Sequence, residues 1–203
     1  MANNPWLEPS RKLDLKRLRS DHKWLVCYHE ASHAVAALYA GVRFVSVSLY
    51  PDGEDVEVLD RMEKAGGEVL YRDRIVNGYE IRNRVLTAVA SVAFTRMVYP
   101  KESLVMVKML GGCWTDWQQA EHCARQSFDC KNLRTYLRNV MDFAREMLLK
   151  HWDMVEKVAS ALMERKSLTE EKAMLLCCKE GDPRLAEGNW EAFYTHGLRA
   201  AAA

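Results

Sequence analysis

The stretch that decides the fold is residues 22–40, which read HKWLVCYHEASHAVAALYA. Asp21 is a favourable N-cap for a helix beginning there, and Gly41 follows at the position where a glycine commonly ends one. Apolar residues cover so broad a face of this helix that we expect it to be largely buried. The predicted helix also carries His29 and His33, which lie one helical turn apart.

Two segments downstream have the patterns of β-strands. The stretch Phe44 to Tyr50 alternates with period two, and Pro51-Asp52-Gly53 predicts a turn after it. Glu68 to Tyr71 predicts a second, short strand that can pair with the first to form a small sheet. The strand Val45 to Leu49 could offer an edge to an extended peptide or be covered by the chain itself, and the sequence leaves both open.

The sequence from residue 79 onward is helical almost throughout. Helices are predicted over Tyr79–Tyr99, ending before Pro100, over Thr115 to about Asp129, along the 3.6-residue period of Leu133–Lys166, and over Thr169–Lys179. The predicted fold class is therefore mainly α with a small β-sheet (α+β). We assign one domain to residues 21–180, between a basic N-terminal arm at 1–20 and a C-terminal tail at 181–203.

Composition excludes several classes of function. The 203 residues include 29 Lys and Arg against 28 Asp and Glu, so a nucleic-acid module built on the basic arm is disfavoured. The most apolar run, residues 85–98, is interrupted by Arg96 and is shorter than the roughly 20 residues of a membrane helix. The N-terminus has no apolar secretory segment, and the six cysteines form no CxxC pair. We expect a soluble, cytoplasmic protein with reduced, mostly buried thiols and no membrane span.

The segment His29-Glu30-Ala31-Ser32-His33 is the HExxH pattern, which is typical of zinc metalloproteases. Two histidines four residues apart on a helix are separated by about 40° and about 6 Å, so both imidazoles can reach one ion. Glu30 stands beside them, where a general base for a zinc-activated water is needed. The segment therefore predicts a zinc-dependent metalloendopeptidase with His29 and His33 as metal ligands.

A catalytic zinc site needs a third protein ligand, with the fourth position open for water. The metzincin pattern would supply it from position 39, but this chain has Ala36 and Tyr39 where that pattern has Gly and His. Carboxylates after the sheet and His122 are the candidates, and Asp116 is the best because a glycine-containing loop delivers it to the start of a helix. An ordinary N-cap role for Asp116 is equally consistent with the sequence.

Residues 26–34, VCYHEASHA, resemble the zinc helix of the FtsH family of membrane-linked, ATP-dependent zinc metalloproteases. Similar family segments match residues 45–53, 66–71, 115–125 and 161–169, so the resemblance covers roughly residues 24–176. It implies a zincin-like peptidase domain with Zn²⁺ as cofactor. It also implies that Asp116, which aligns with the family's third zinc ligand, completes the site.

The chain departs from the family pattern at several places. It has no GxxxxGK[ST] phosphate-binding loop and no membrane span before the domain, and Ala90-Ser91-Val92-Ala93 stands where the family has Gly-Gly. We therefore expect an ATP-independent enzyme that cleaves flexible or unfolded polypeptide, or that relies on a separate ATPase or on a homo-oligomer. The alternative is a catalytically silent relative that binds a peptide or a partner. The intact Glu30 favours the enzyme, because nothing structural requires a glutamate there.

Overall fold

The computed structural model describes residues 15–49, 67–71, 78–108, 110, 112–127 and 132–177. The described elements, in chain order, are α1 (Leu15–Ser20), α2 (His22–Tyr39), β1 (Phe44–Leu49), β2 (Gly67–Tyr71), α3 (Gly78–Val98), α4 (Leu104–Lys108), α5 (Cys113–Ser127), α6 (Leu133–Lys150), α7 (Trp152–Arg165), β3 (Ser167–Thr169) and α8 (Glu170–Cys177). This confirms a mainly helical protein with a small antiparallel sheet. The predicted turn at 51–53, most of the basic arm and the C-terminal tail lie outside the described residues.

Helix α2 begins and ends where its capping residues predict. The side chain of Asp21 accepts a hydrogen bond from the backbone N–H of Trp24 at 3.2 Å, and Gly41 follows the helix with a φ of 62°. From Leu25 to Leu38 every side chain except that of Tyr28 is buried. The predicted burial of this helix is therefore confirmed.

The sheet has the strand order β2-β1-β3, and both pairings are antiparallel. The predicted pairing of β1 with β2 is confirmed, with an irregularity between Phe44 and Ser46. The third strand was not predicted, because it has only three residues and follows α7 directly through Lys166, whose φ is 65°. Since β1 has a neighbour on each side, the predicted alternative of an open edge at β1 is wrong.

The helical period from Leu133 to Lys166 belongs to two helices and not to one. Helix α6 ends at Lys150 and α7 begins at Trp152, and His151 is the C-cap of the first and the N-cap of the second. The backbone of His151 has φ −109° and ψ 28°, which lies outside the helical range. The sequence pattern misses this break because both helices bury an apolar face and the period is hardly disturbed across it.

The core is built around α2 and α3, which pack against each other. Helix α7 packs on α2, whereas α5 and α6 pack on α3. The ring of Tyr28 stacks on Phe94 from α3 and on Trp152 from α7, at centroid distances of 5.9 and 5.3 Å. Three helices therefore meet at one aromatic cluster, which fixes the position of the histidine-bearing turn that follows Tyr28.

The short helix α1 is attached to the end of α3. Leu18 is buried, and the guanidinium of Arg19 donates two hydrogen bonds to the carbonyl of Val98, at 2.8 and 2.6 Å. These bonds satisfy a carbonyl at the C-terminus of α3, where the helix dipole also favours a cation. Among the described residues, no helix is both long and apolar enough to cross a membrane.

Candidate metal centre

Two of the three predicted ligands come from the middle of α2. His29 and His33 lie on the same face of this helix, their ring centroids are 5.0 Å apart, and each residue is only 7% exposed. Their Nε2 atoms both point towards α5, because α5 and α2 pack on the same helix, α3. The core that buries α2 therefore holds both imidazoles in fixed positions.

The third predicted ligand, Asp116, reaches the histidines from α5. Its Oδ2 lies 3.1 Å from Nε2 of His29 and 3.2 Å from Nε2 of His33. Because α5 begins at Cys113, Asp116 is inside the first turn of the helix and is not its N-cap. Of the two interpretations that the sequence left open, the capping role is therefore wrong, and the carboxylate is directed at the imidazoles.

The loop before α5 approaches the site closely through Gly112. This residue has a φ of 81°, a conformation that costs other residues roughly 1–2 kcal/mol. A Cβ built on it would lie 3.9 Å from Nε2 of His29. The positive φ is therefore what requires glycine at the turn into α5, and a methyl group there would contact the imidazole at an ordinary van der Waals distance.

The two separations that join Asp116 to the histidines are close to those of a tetrahedral metal ion. Their ligand atoms all lie within 4.8 Å of one another, and within the described part of the chain this is the one group of three or more His, Cys, Asp or Glu that could hold an ion. Zinc binds imidazole and carboxylate at about 2.0–2.2 Å, so two ligands of a tetrahedral site are about 3.3 Å apart. The distances from Oδ2 of Asp116 to Nε2 of His29 and of His33, 3.1 and 3.2 Å, are close to that separation. The donor set of two imidazoles and one carboxylate also suits zinc.

The charges of the three groups are strongly coupled. Burial lowers the pKa of His29, but its hydrogen bonds to Asp116 and Cys113 outweigh burial and raise that pKa well above 6.5. Burial also lowers the pKa of His33, and the charge of Asp116 reverses the effect. Burial would raise the pKa of Asp116, but His33 and His29 hold it well below its usual range. The charge of Asp116 therefore favours proton binding by the two imidazoles, and a bound cation would compete with those protons.

Each ligand has a further polar partner, and for Asp116 this partner bonds to the same oxygen, Oδ2, that faces the histidines. Nδ1 of His33 donates to the carbonyl of Thr87 at 2.8 Å, and the hydroxyl of Ser91 donates to Oδ2 of Asp116 at 2.6 Å. Nδ1 of His29 faces the sulfur of Cys113 at 4.0 Å. The sequence analysis did not find these partners, although small polar residues in a buried apolar helix were a visible signal.

Glu30, the predicted general base, follows His29 on α2 and is 4% exposed. Its negative charge contributes to the raised pKa of His33, so the carboxylate lies within electrostatic reach of the ligand cluster. The other candidate ligand, His122, is not part of the cluster. It is exposed, and its Nε2 pairs with the side-chain amide of Gln126 at 2.9 Å.

Tyr71, at the end of β2, borders the same region. Burial raises the pKa of its phenol to about 12, against the opposing effects of a hydrogen bond with the side chain of Thr87 and of the charge of Arg84. The guanidinium of Arg84 lies 3.6 Å from the centroid of the Tyr71 ring. The phenol is therefore protonated at neutral pH and is engaged with Thr87 beside the ligand cluster.

No protein-family model matches the chain, and no curated protein matches it. The similarity of residues 26–34 and 115–125 to the FtsH peptidase domain therefore stays a prediction made from those motifs.

The described cysteines form no disulfide and belong to no candidate metal site. Cys27, Cys113, Cys123 and Cys177 are free and buried, which confirms the expected burial of the first three; the sequence made no prediction for Cys177. Burial raises the pKa of Cys27 to about 11 and that of Cys123 in the same direction. Both thiols are therefore protonated at neutral pH and serve as small apolar side chains.

Proposed function

We propose that the protein is a zinc-dependent peptidase in which His29, His33 and Asp116 bind the metal and Glu30 is the general base. The observation that carries the proposal is the convergence of the three proposed ligands from two helices far apart in the chain. One ligand atom of each lies within 4.8 Å of the others, and Oδ2 of Asp116 is 3.1 and 3.2 Å from Nε2 of His29 and of His33. Of these helices, α2 also carries Glu30 next to the first ligand. The HExxH pattern and the resemblance to the FtsH peptidase domain support the same function.

When bound, the ion supplies a Lewis acid that polarises a peptide carbonyl and lowers the pKa of water towards about 7. Glu30 accepts a proton from the attacking water and donates it to the leaving amine. His33, fixed by the Thr87 carbonyl, and His29, fixed by packing around α2, keep their Nε2 atoms directed at the ion.

The substrate class is part of the proposal. The 203 residues contain no phosphate-binding loop of the GxxxxGK[ST] type. We propose that the substrate is a flexible or already unfolded polypeptide, or one delivered by a separate ATPase. The catalytic site would then act in an aqueous compartment such as the cytoplasm.

The test compares three forms of the purified protein: wild type, Glu30→Gln and Glu146→Gln. Glu146 is an exposed glutamate on α6 and serves as a matched control for the same chemical change. Zinc content is measured by mass spectrometry, and hydrolysis is measured with labelled casein. We expect all three forms to contain zinc, and Glu30→Gln to lose about 10²–10⁴-fold in rate, the usual contribution of a general base.

Two outcomes would contradict the proposal in different ways. If Glu30→Gln hydrolyses casein at the wild-type rate, Glu30 is not the general base. Zinc bound by the wild type without any cleavage of unfolded protein would favour the alternative function, a catalytically silent protein that binds a peptide or a partner.

A further inference from the structure

A row of small polar residues runs along one face of helix α3. Thr87, Ser91 and Thr95 recur every fourth residue, so they lie one above the other on the helix. Their exposed fractions are 1%, 0% and 2%, in a helix whose other central side chains are almost all apolar. We call these three residues the polar ladder. Three buried polar groups in a row need partners, because a buried polar group without a hydrogen bond is costly.

Each residue of the polar ladder is linked to a different proposed ligand. The carbonyl of Thr87 accepts from Nδ1 of His33 at 2.8 Å, and the hydroxyl of Ser91 donates to Oδ2 of Asp116 at 2.6 Å. The hydroxyl of Thr95 accepts from the Cys113 thiol at 3.1 Å. The sulfur of Cys113 in turn lies 4.0 Å from Nδ1 of His29.

The simplest explanation of the hydroxyls is that they bond to the backbone of their own helix, as buried Ser and Thr often do. Thr87 does so, since its hydroxyl donates to the carbonyl of Arg84 at 2.9 Å. Ser91 has the same option, but its carbonyl acceptor on Ala88 is 3.2 Å away, whereas the Asp116 oxygen is at 2.6 Å. A hydroxyl has one proton, and the shorter bond to a charged acceptor is the stronger one. The Ser91 hydroxyl therefore donates its proton in the hydrogen bond to Asp116 and not to the Ala88 carbonyl.

The bond from the Thr87 carbonyl also fixes the tautomer of His33. A carbonyl oxygen can only accept, so Nδ1 of His33 carries a proton and Nε2 is the nitrogen that can bind metal. The Cys113 thiol donates to Thr95, which leaves the sulfur as the acceptor for Nδ1–H of His29. The same nitrogen of both imidazoles is thereby directed at Asp116.

We propose that the polar ladder of α3 positions all three metal ligands, and that Ser91 is the positioning residue for Asp116. The inference rests on the metal site of the proposed function and extends it to residues that contact no metal. Partners behind metal ligands orient them and typically change metal affinity by about 10–100-fold when they are removed. One helix that holds both imidazoles and the carboxylate keeps the site formed before the ion arrives.

The test measures zinc affinity by competition with a chromophoric chelator for wild type, Ser91→Ala, Thr95→Val and the control Ser32→Ala. Ser32 is also fully buried on a helix, but its hydroxyl donates to the carbonyl of Tyr28 in its own helix at 2.7 Å. We expect Ser91→Ala to bind zinc about 10–100-fold more weakly than wild type. The zinc affinity of Thr95→Val should fall by a smaller factor, because Thr95 reaches His29 only through Cys113. The zinc affinity of Ser32→Ala should stay near the wild-type value.

A second readout separates positioning from general loss of structure. Co²⁺ replaces zinc, and the visible absorption bands of the bound ion report its coordination geometry. We expect altered bands for Ser91→Ala and unchanged bands for Ser32→Ala. Thermal unfolding in the presence of EDTA checks that both variants are folded, and Ser91→Ala should be the less stable of the two because its hydroxyl bonds to a carboxylate.

The outcomes distinguish this inference from the proposed function. If the wild type binds zinc and Ser91→Ala matches Ser32→Ala in affinity and cobalt spectrum, the positioning role of Ser91 is refuted while the metal site stands. If Ser91→Ala does not fold, an unchanged cobalt spectrum of Thr95→Val refutes the ladder. If the wild type binds neither ion, the metal site and the ladder both fall.

Discussion

The two helices that supply the proposed ligands are held in very different ways. Helix α2 is buried along most of its length, so core packing fixes the backbone that carries His29 and His33, and the contacts to α3 and Cys113 orient their rings. Helix α5 is amphipathic and carries exposed residues such as Trp114 on its outer face, and it reaches the site through the turn at Gly112. The comparison indicates that the histidine half of the site is a consequence of the fold. The aspartate half depends on a few local contacts.

The largest effect is expected when the packing of α2 is broken. Trp152→Ala removes a side chain that is 1% exposed and stacked on Tyr28, and we expect a loss of about 3–5 kcal/mol in the free energy of unfolding. The matched change on α5 is Trp114→Ala, which removes a half-exposed tryptophan and should change stability by about 0.5 kcal/mol or less. Urea unfolding of both variants measures the difference. Equal losses would refute the distinction between the two helices.

A smaller effect is expected from substituting the two glycines with positive φ, one beside each ligand-bearing helix. Gly41→Ala, after α2, and Gly112→Ala, before α5, both force a left-handed conformation and should each cost about 1–2 kcal/mol of stability. Only Gly112→Ala adds a carbon 3.9 Å from Nε2 of His29. We therefore expect zinc affinity to fall in Gly112→Ala and to be kept in Gly41→Ala. Chelator competition measures it, and equal zinc affinities would contradict the local role assigned to the turn.

The smallest effect is the pH dependence of the metal-free protein. Because the pKa values of His29 and His33 are raised in the fold, their stabilising contribution is complete below 6.5 and is lost as the pH rises through the raised values. Because the pKa of Asp116 is lowered, its contribution is present above 3.8 and is lost as the pH falls. In EDTA, stability should therefore decline as the pH rises beyond 6.5, whereas zinc affinity should increase as the histidines lose their protons.

The control for this pH dependence is a pair of Asp→Asn variants. Asp116→Asn removes the charge that raises both histidine pKa values, so it should flatten the decline. Asp153→Asn changes an exposed residue in the first turn of α7 and should leave the decline as in the wild type. A decline that persists unchanged in Asp116→Asn would show that the three groups are not coupled as described.

Much of the fold could be predicted from local sequence signals. Asp21 and Gly41 mark the ends of α2, and Pro100 follows α3 closely, because capping and proline sterics act within a few residues. The strand β3 and the break at His151 could not be predicted in this way. Strand β3 is too short to show an alternating pattern, and it forms by pairing with β1, which is distant in the sequence.

The candidate site also has parts that local sequence signals predict and parts that depend on how distant elements pack. The spacing of His29 and His33 on one helix places both rings together without knowledge of the fold, because i and i+4 share a face. The position of Asp116 was predicted through the resemblance, since spacing alone left a capping role equally open. The contact of Ser91 with Asp116 was not predicted, because it depends on how α3 packs against α5 and a helical serine can always bond to its own backbone.

The most direct test of the central claim is the zinc content of the purified protein after zinc loading and dialysis, compared with His33→Ala and with His122→Ala. His122 is an exposed histidine of α5 outside the cluster and controls for adventitious binding by imidazole. The account predicts about one tightly held zinc per chain in the wild type and in His122→Ala, and loss of that zinc in His33→Ala. Zinc retained in full by His33→Ala, or none in the wild type, would contradict it.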